Sequence, residues 1–348
     1  MILFRPIQEK DLPDIIKLST NTGIGLTSLP YDPGYLENRI LCSTNTFNGK
    51  LPRSEQYYMF GLEDLNSNQI VGISAIESAV GLKDLFLNIY IEKINNVSSL
   101  IYLHHKLSML SIHAHYTGNT ELCTLFLHRN YQKNKNGLLL SKARFLFIAC
   151  FKHLFSSRLI AEMRGIVNKK DESIYWNAIG RHFFNISFAE ADYLSNTGIK
   201  SFMSNLIPYY PIYLDLLPSK VKNIIGKTHL DSLPAQKFLE QEGFYWNQSI
   251  DVFDAGPILE ANTDRVHSIC NSKVFKITEK NKNLPISGKG FTLISNEKFN
   301  NFRALLLENN CINQLIKLNS AQYDALEVEI GDTLRFVNLY PENKKYEC

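Results

Sequence analysis

The sequence predicts an α+β protein: a mixed central sheet flanked by helices, then a smaller, mostly β C-terminal segment. Three observations lead there. An apolar strand-like run, Leu122 to Leu127, enters a basic turn and then a pattern in which Leu139, Ala143, Leu146, Phe147 and Cys150 keep the three-four spacing of an amphipathic helix. A second strand-then-helix unit follows, Arg158 to Val167 and Ser173 to Phe184, which implies right-handed crossovers where the strands are parallel. Beyond about Asp251, short alternating runs such as FTLISNE and DTLRFVNLY read as strands.

The earlier elements fit the same plan. Ile2 to Pro6 is a short apolar strand, and Asp11 precedes LPDIIKL, whose Leu12, Ile15, Ile16 and Leu18 share one helix face. Tyr57 to Leu62 and Ile70 to Val80 flank the turn-rich EDLNSNQ and read as an antiparallel hairpin. Gly81 to Asn119 reads as a less regular insertion carrying His104, His105, His113 and His115. With no acidic or cysteine ligand nearby to complete a metal site, these are expected to be loop or partly buried histidines. The natural division is residues 1–250, including the insertion near 81–119, and 251–348.

Composition limits the function. A chain of 348 residues, 45% hydrophobic and 20% charged, suits a globular protein of two or three packed units. The opening MILFRPIQEKDLPDI acquires charge and proline too early for a signal sequence, and no apolar run reaches membrane-spanning length, so a cytoplasmic protein is expected. Six cysteines without a C-x-x-C read as buried free thiols, and no structural metal is expected. A net charge of +3 is too small to indicate a nucleic-acid partner. Lys280, Lys282, Lys344 and Lys345 read as solvated linker and tail.

The turn QKNKNG carries the first chemical signal. A strand feeding a helix N-terminus presents unpaired N–H groups that, with the helix dipole, bind a pyrophosphate. Gln132, Lys133, Lys135 and Asn136 supply donors or charge, and Gly137 permits close backbone approach. An ordinary strand-to-helix loop with its lysines in water fits equally well. No G-x-x-x-x-G-K-[ST] is present, and the G-x-G of Gly23 and Gly25 follows a helix rather than a strand, which argues against a dinucleotide fold.

The order of elements, the Q-x-x-x-x-G turn and the opening FRPIQEKDLPDI resemble the GNAT superfamily of acyl-CoA N-acyltransferases. More specifically, NTGIGLTSLP, LPRSEQYYMFGLED, AIESAVGL, TGNTELCTLFL, NGLLLSKARF, AEMRG, PIYLDLLP and DVFDAGP resemble the arginine N-succinyltransferase family. These stretches span most of the chain and thin out after about Ile269. One departure is Lys135, where the superfamily turn has its first glycine; a left-handed residue there would cost roughly 1–2 kcal/mol.

The resemblance implies a GNAT-like core in 1–250 and transfer of a succinyl group from succinyl-CoA, without a metal, to the α-amino group of L-arginine. It places a succinyl-CoA contact on Leu125 and the catalytic proton donor on His229. Arginine's guanidinium calls for carboxylates, with Glu121, Glu162, Asp251 and Asp254 as candidates. The succinyl carboxylate calls for a cation, Arg164 or Lys142. TGIGLTSLP is a candidate for a loop that closes over substrate. A catalytically silent acyl-CoA or arginine-binding module, and an enzyme that also takes ornithine, are the competing readings. The short C-terminal segment would gain from a partner copy, so a homo-oligomer is expected.

Overall fold

Hairpins form where turn chemistry predicts them, and a helix crosses where two strands run parallel. The computed structural model describes residues 1–20, 29–98, 103–168, 170, 172–196, 210–279, 290–309 and 317–339. Its strands are β1 (Ile2–Pro6), β2 (Tyr57–Asp64), β3 (Gln69–Glu77), β4 (Asn88–Ser98), β5 (Leu103–His113), β6 (Thr120–Leu127), β7 (Arg158–Glu162), β8 (Ile212–Tyr213), β9 (Tyr245–Asp251), β10 (Pro257–Asn262), β11 (Lys273–Lys276), β12 (Gly290–Asn296), β13 (Ala304–Asn309) and β14 (Thr333–Asn338). Among the described residues they form one 14-stranded sheet, ordered β11-β14-β12-β13-β1-β2-β3-β6-β7-β10-β9-β4-β5-β8. Neighbours are antiparallel except β6 and β7, which are parallel.

Three helices frame the middle of this sheet: α1 (Leu12–Ser19), α2 (Pro33–Phe47) and α3 (Asn136–Cys150). Asp32 caps α2 by accepting from the Tyr35 N–H at 3.0 Å, and Pro33 suits the first helical turn. Alternation along the strands divides the apolar residues between the faces. Tyr58, Phe60, Ile76 and Leu122 join the core under α3, whereas Tyr57, Met59, Ile73 and Ala75 pack against α1 and α2. Phe147 of α3 is the hub of the first core, 5.0 Å from the Phe60 ring, 5.3 Å from Tyr58 and 5.2 Å from Phe302. Such aromatic pairs each add about 0.5–1.5 kcal/mol beyond the area they bury.

The expected mixed sheet with flanking helices is present, and several local expectations change. The insertion read as irregular holds the β4–β5 hairpin, in which Ile89, Ile91 and Leu110 are buried. The helix expected over Ser173–Phe184 is two short ones, Ile174–Ala178 and Gly180–Phe184, broken at Ile179. There the Trp176 ring lies so close to Gly180 that a Cβ would approach it to 2.4 Å, and Phe184 and Phe253 stack on the same indole. The strand expected to run to Val167 ends at Glu162. After Asp251, strands β12 to β14 pair with one another and reach β1 through Phe4 and Ala304. The helix Ser320–Leu326, not expected from sequence, closes their core. No helix among the described residues is long and apolar enough to cross a membrane.

Candidate active site

The parallel pair opens into a cleft. β6 and β7 are joined only at Thr120–Leu159 and Glu121–Ile160, and beyond that point the strands part. On its other side β6 carries a bulge, since the register jumps from Ala75–Cys123 to Ile73–Phe126 and sets Ser74 against both Thr124 and Leu125. Thr124 has φ +53° there. A bulge interrupts the ladder and re-aims backbone groups, and Leu125 is the residue it re-aims. The Thr124 hydroxyl lies 2.9 Å from the Tyr57 hydroxyl. Arg144 of α3, fully buried, donates to the carbonyls of Ala75 at 3.1 Å and Cys123 at 3.2 Å, bolting the helix to the bulged strand. Burial lowers its guanidinium to about 10. Sequence reasoning missed this role, although Arg144 stands in the family-like stretch NGLLLSKARF.

The first wall of the cleft is the start of α3. Asn134 and Lys135 both adopt left-handed backbone, Lys135 with φ +62°, so the position that lacks the superfamily glycine does carry the strained conformation. Gln132 donates to the Leu127 carbonyl at 3.1 Å, and Asn136, buried, donates to the Tyr131 carbonyl at 3.0 Å. These two amides shape the turn, and Lys133 and Lys135 are exposed beside it. Gly137 does not have positive φ, and an added Cβ would meet only ordinary contacts, Phe238 at 3.6 Å and Leu127 at 3.9 Å. Among the described residues its N–H has no acceptor. Nothing inside the fold requires glycine at this place.

The facing wall comes from the far end of β7. The His229 N–H donates to the Arg164 carbonyl at 2.8 Å, and Gly165 and Thr228 form an isolated antiparallel bridge. The His229 Nδ1 accepts from the Asp231 N–H at 3.3 Å, capping the turn Leu230–Ser232, and lies 3.7 Å from the Asp231 carboxylate. The following helix, Leu233–Gln241, packs beside α3 and brings Phe238 to Gly137. Because β6 and β7 are parallel, their C-terminal ends lie at one end of the sheet, so the α3 start, the bulge and His229 flank the same opening.

Two candidate acids are engaged by backbone. Asp254, buried, accepts from the N–H of Gly165 at 2.6 Å and of Gly256 at 2.8 Å. Asp251 accepts from the N–H of Phe253 at 2.7 Å and of Asp254 at 2.9 Å. Burial, then the neighbouring Asp251 carboxylate, push the Asp254 carboxyl up to about 8.

Glu121 belongs to the opposite face, with Cys123 and the α1/α2 core, directly across from Glu77 of β3. Glu77 was not singled out in the sequence, because only strand register makes it Glu121's neighbour. Glu162, exposed at the end of β7, shares that face by alternation with Ile160. Arg164 is half-buried. Lys142 is fully buried, paired with Glu242 at 2.9 Å and donating to the Leu339 carbonyl at 2.8 Å, which removes it as a cation for the succinyl carboxylate. Residues 22–28 of the expected closing loop, and the lysines at 280, 282, 344 and 345, lie outside the described residues. Among the described residues no histidine, cysteine and acid cluster has the arrangement of a metal site.

Comparison with known proteins gives the family and the fold. The family model described as arginine N-succinyltransferase beta subunit matches residues 2–268. The chain is 41% identical to an arginine N-succinyltransferase from Photorhabdus laumondii over 98% of this chain and 99% of that one. It is also 41% identical to one from Yersinia enterocolitica, over 99% and 100% of the two chains. A solved structure described as arginine/ornithine succinyltransferase subunit AI from Pseudomonas aeruginosa superposes with a TM-score of 0.86 at 31% identity, covering 98% of this chain and 99% of that one. With the sheet, the parted strands and the helix start all in place, the chain belongs to the arginine N-succinyltransferase family of acyltransferases.

Proposed function

We propose that this enzyme transfers a succinyl group from succinyl-CoA to the α-amino group of L-arginine. The observation that supports the reading most directly is the opening between β6 and β7, with the bulge at Leu125 and the start of α3 on one side and His229 on the other. The Gly137 N–H, the α3 dipole and the charges of Lys133 and Lys135 suit the diphosphate of coenzyme A. The acyl arm would then lie along the parted strands, and backbone N–H groups at the bulge would steady the oxyanion.

The reaction asks little covalent chemistry of the protein. The unprotonated α-amine attacks the thioester carbonyl, the C–N bond forms, and collapse of the oxyanion breaks the C–S bond. The leaving thiolate takes its proton from His229, and the proton that the nitrogen sheds on becoming an amide passes to solvent, from which His229 is reloaded for the next cycle. On the opposite face, Glu77 and Glu121 stand in register and Glu162 lies on the next strand. Arg39, half-buried on this face, already lies within electrostatic reach of Glu77, and the paired donors of arginine's guanidinium suit the exposed part of the same carboxylate group. Arg164 suits the succinyl carboxylate.

Release of free thiol, followed with succinyl-CoA and arginine, tests the reading, with ornithine and acetyl-CoA in parallel. Turnover with arginine and succinyl-CoA is expected; binding without thiol release would instead indicate a silent acyl-CoA module. Comparable turnover with ornithine would indicate the broader specificity that the Pseudomonas relative's description carries. His229→Ala should lower kcat roughly 10²-fold or more, and an unchanged kcat would remove His229 from the proton path.

A further inference from the structure

The turn Asp254–Ala255–Gly256 touches both segments that meet at His229. Asp254 holds the Gly165 N–H at 2.6 Å, and the Ala255 carbonyl accepts from the Gly226 N–H at 2.9 Å. Gly256 packs so tightly that a Cβ there would fall 1.9 Å from the Met163 carbonyl and 2.7 Å from the Gly165 nitrogen. Ala255 takes a left-handed conformation, φ +59°, to make the turn fit. Two peptide segments far apart in sequence, around residues 163–165 and 226–229, are therefore gauged against one rigid corner. They meet through a bridge at Gly165 and Thr228 and a hydrogen bond from the His229 N–H to the Arg164 carbonyl.

We propose that Asp254 is a positioning residue for acyl transfer, one carboxyl oxygen fixing the Arg164–Gly165 peptide and the other the Gly256 N–H of its own turn, so that the strand bridge holds His229 at the opening between β6 and β7. The role differs from contact with the substrate guanidinium, because both oxygens already face backbone donors. Serine or alanine would vacate the corner, whereas asparagine keeps one acceptor and turns an NH2 toward the other donor. Losses should therefore be graded, Asp254→Asn smaller than Asp254→Ala. The proposal rests on the reading of His229 as proton donor, and the exchange measurement below does not depend on that reading.

Steady-state kinetics and residue-resolved amide exchange on the full chain provide the test. Asp254→Ala should lower kcat roughly tenfold or more while KM for arginine and the affinity for succinyl-CoA, measured calorimetrically, stay within about twofold. The His229 amide should exchange at least about tenfold faster in the variant, with amides of α3 and β2 unchanged. A rise in KM for arginine at unchanged kcat would make Asp254 a substrate contact and overturn the proposal. Wild-type kcat would overturn it too, as would faster exchange spread uniformly over the sheet, the mark of a purely structural residue. If Asp254→Ala does not fold, Asp254→Asn carries the same comparison. Should the wild type prove inactive toward arginine, faster exchange confined to His229 and its neighbours still supports the mechanical link, and its absence still overturns it.

Discussion

Replacing Lys135 with glycine separates backbone strain from charge at the start of α3. Lys135 holds φ +62° and ψ +15°, a conformation that costs an ordinary residue roughly 1–2 kcal/mol and costs glycine almost nothing. Glycine also loosens the unfolded chain, which takes back about 0.5–1 kcal/mol. The net is a stabilisation of roughly 0–1.5 kcal/mol, about 0–4 °C in Tm for a chain of this size. The same change removes one exposed cation beside the proposed diphosphate site. A charge-assisted hydrogen bond from that cation to phosphate is worth on the order of 1 kcal/mol, so without it KM for succinyl-CoA should rise about fivefold at low salt and less at high salt. Thermal denaturation and a succinyl-CoA titration of the rate at two ionic strengths read both effects. A lower Tm together with an unchanged KM would contradict both expectations, because strain would then be absent and the helix start would not be meeting phosphate.

Further expectations follow from the same geometry. Gly137→Ala meets only ordinary contacts at 3.6 Å and 3.9 Å, so stability should hold or rise slightly while KM for succinyl-CoA increases roughly tenfold; equal KM would mean that no ligand approaches that backbone. Glu121→Gln should raise KM for arginine roughly tenfold or more with succinyl-CoA affinity unaffected, a split readable in one set of initial rates. Lys142→Met strands Glu242 in the core and should cost about 3–5 kcal/mol in denaturant unfolding, much of it recovered by adding Glu242→Gln. The Asp254 carboxyl, raised to about 8, binds a proton in the folded state over a range where the unfolded chain releases it. Its stabilising contribution is thus present at acid pH and lost as pH rises through about 8, so Tm should fall more between about pH 6 and about pH 9 in the wild type than in Asp254→Asn. Parallel curves would exclude Asp254 as the titrating group.

Local signals in the sequence carried further in some places than in others. EDLNSNQ between two apolar runs reads as a hairpin because a turn and its strands are neighbours in the chain, and β2 and β3 pair as expected. The cadence of Leu139, Ala143 and Leu146 likewise belongs to α3 alone. The β4–β5 hairpin was less legible, because its histidines and asparagines mask the period-two burial of Ile89 and Ile91. At Trp176 the periodicity of one helix was correct locally, but close packing of the indole on Gly180 broke it in two.

The order of strands and helices around the basic turn follows from chain-local patterns, and the family resemblance pointed to His229 and Leu125. Both kinds of information depend on residues near one another in the chain. Tertiary structure alone decided which candidate acids were already committed. Asp254 lies 89 residues from the Gly165 amide it accepts from, Lys142 is buried against Glu242, and Glu77 becomes the neighbour of Glu121 only through strand register. Backbone donors and long-range ion pairs leave no periodic trace in a sequence, since almost any residue can supply an N–H and any distant segment can supply the partner.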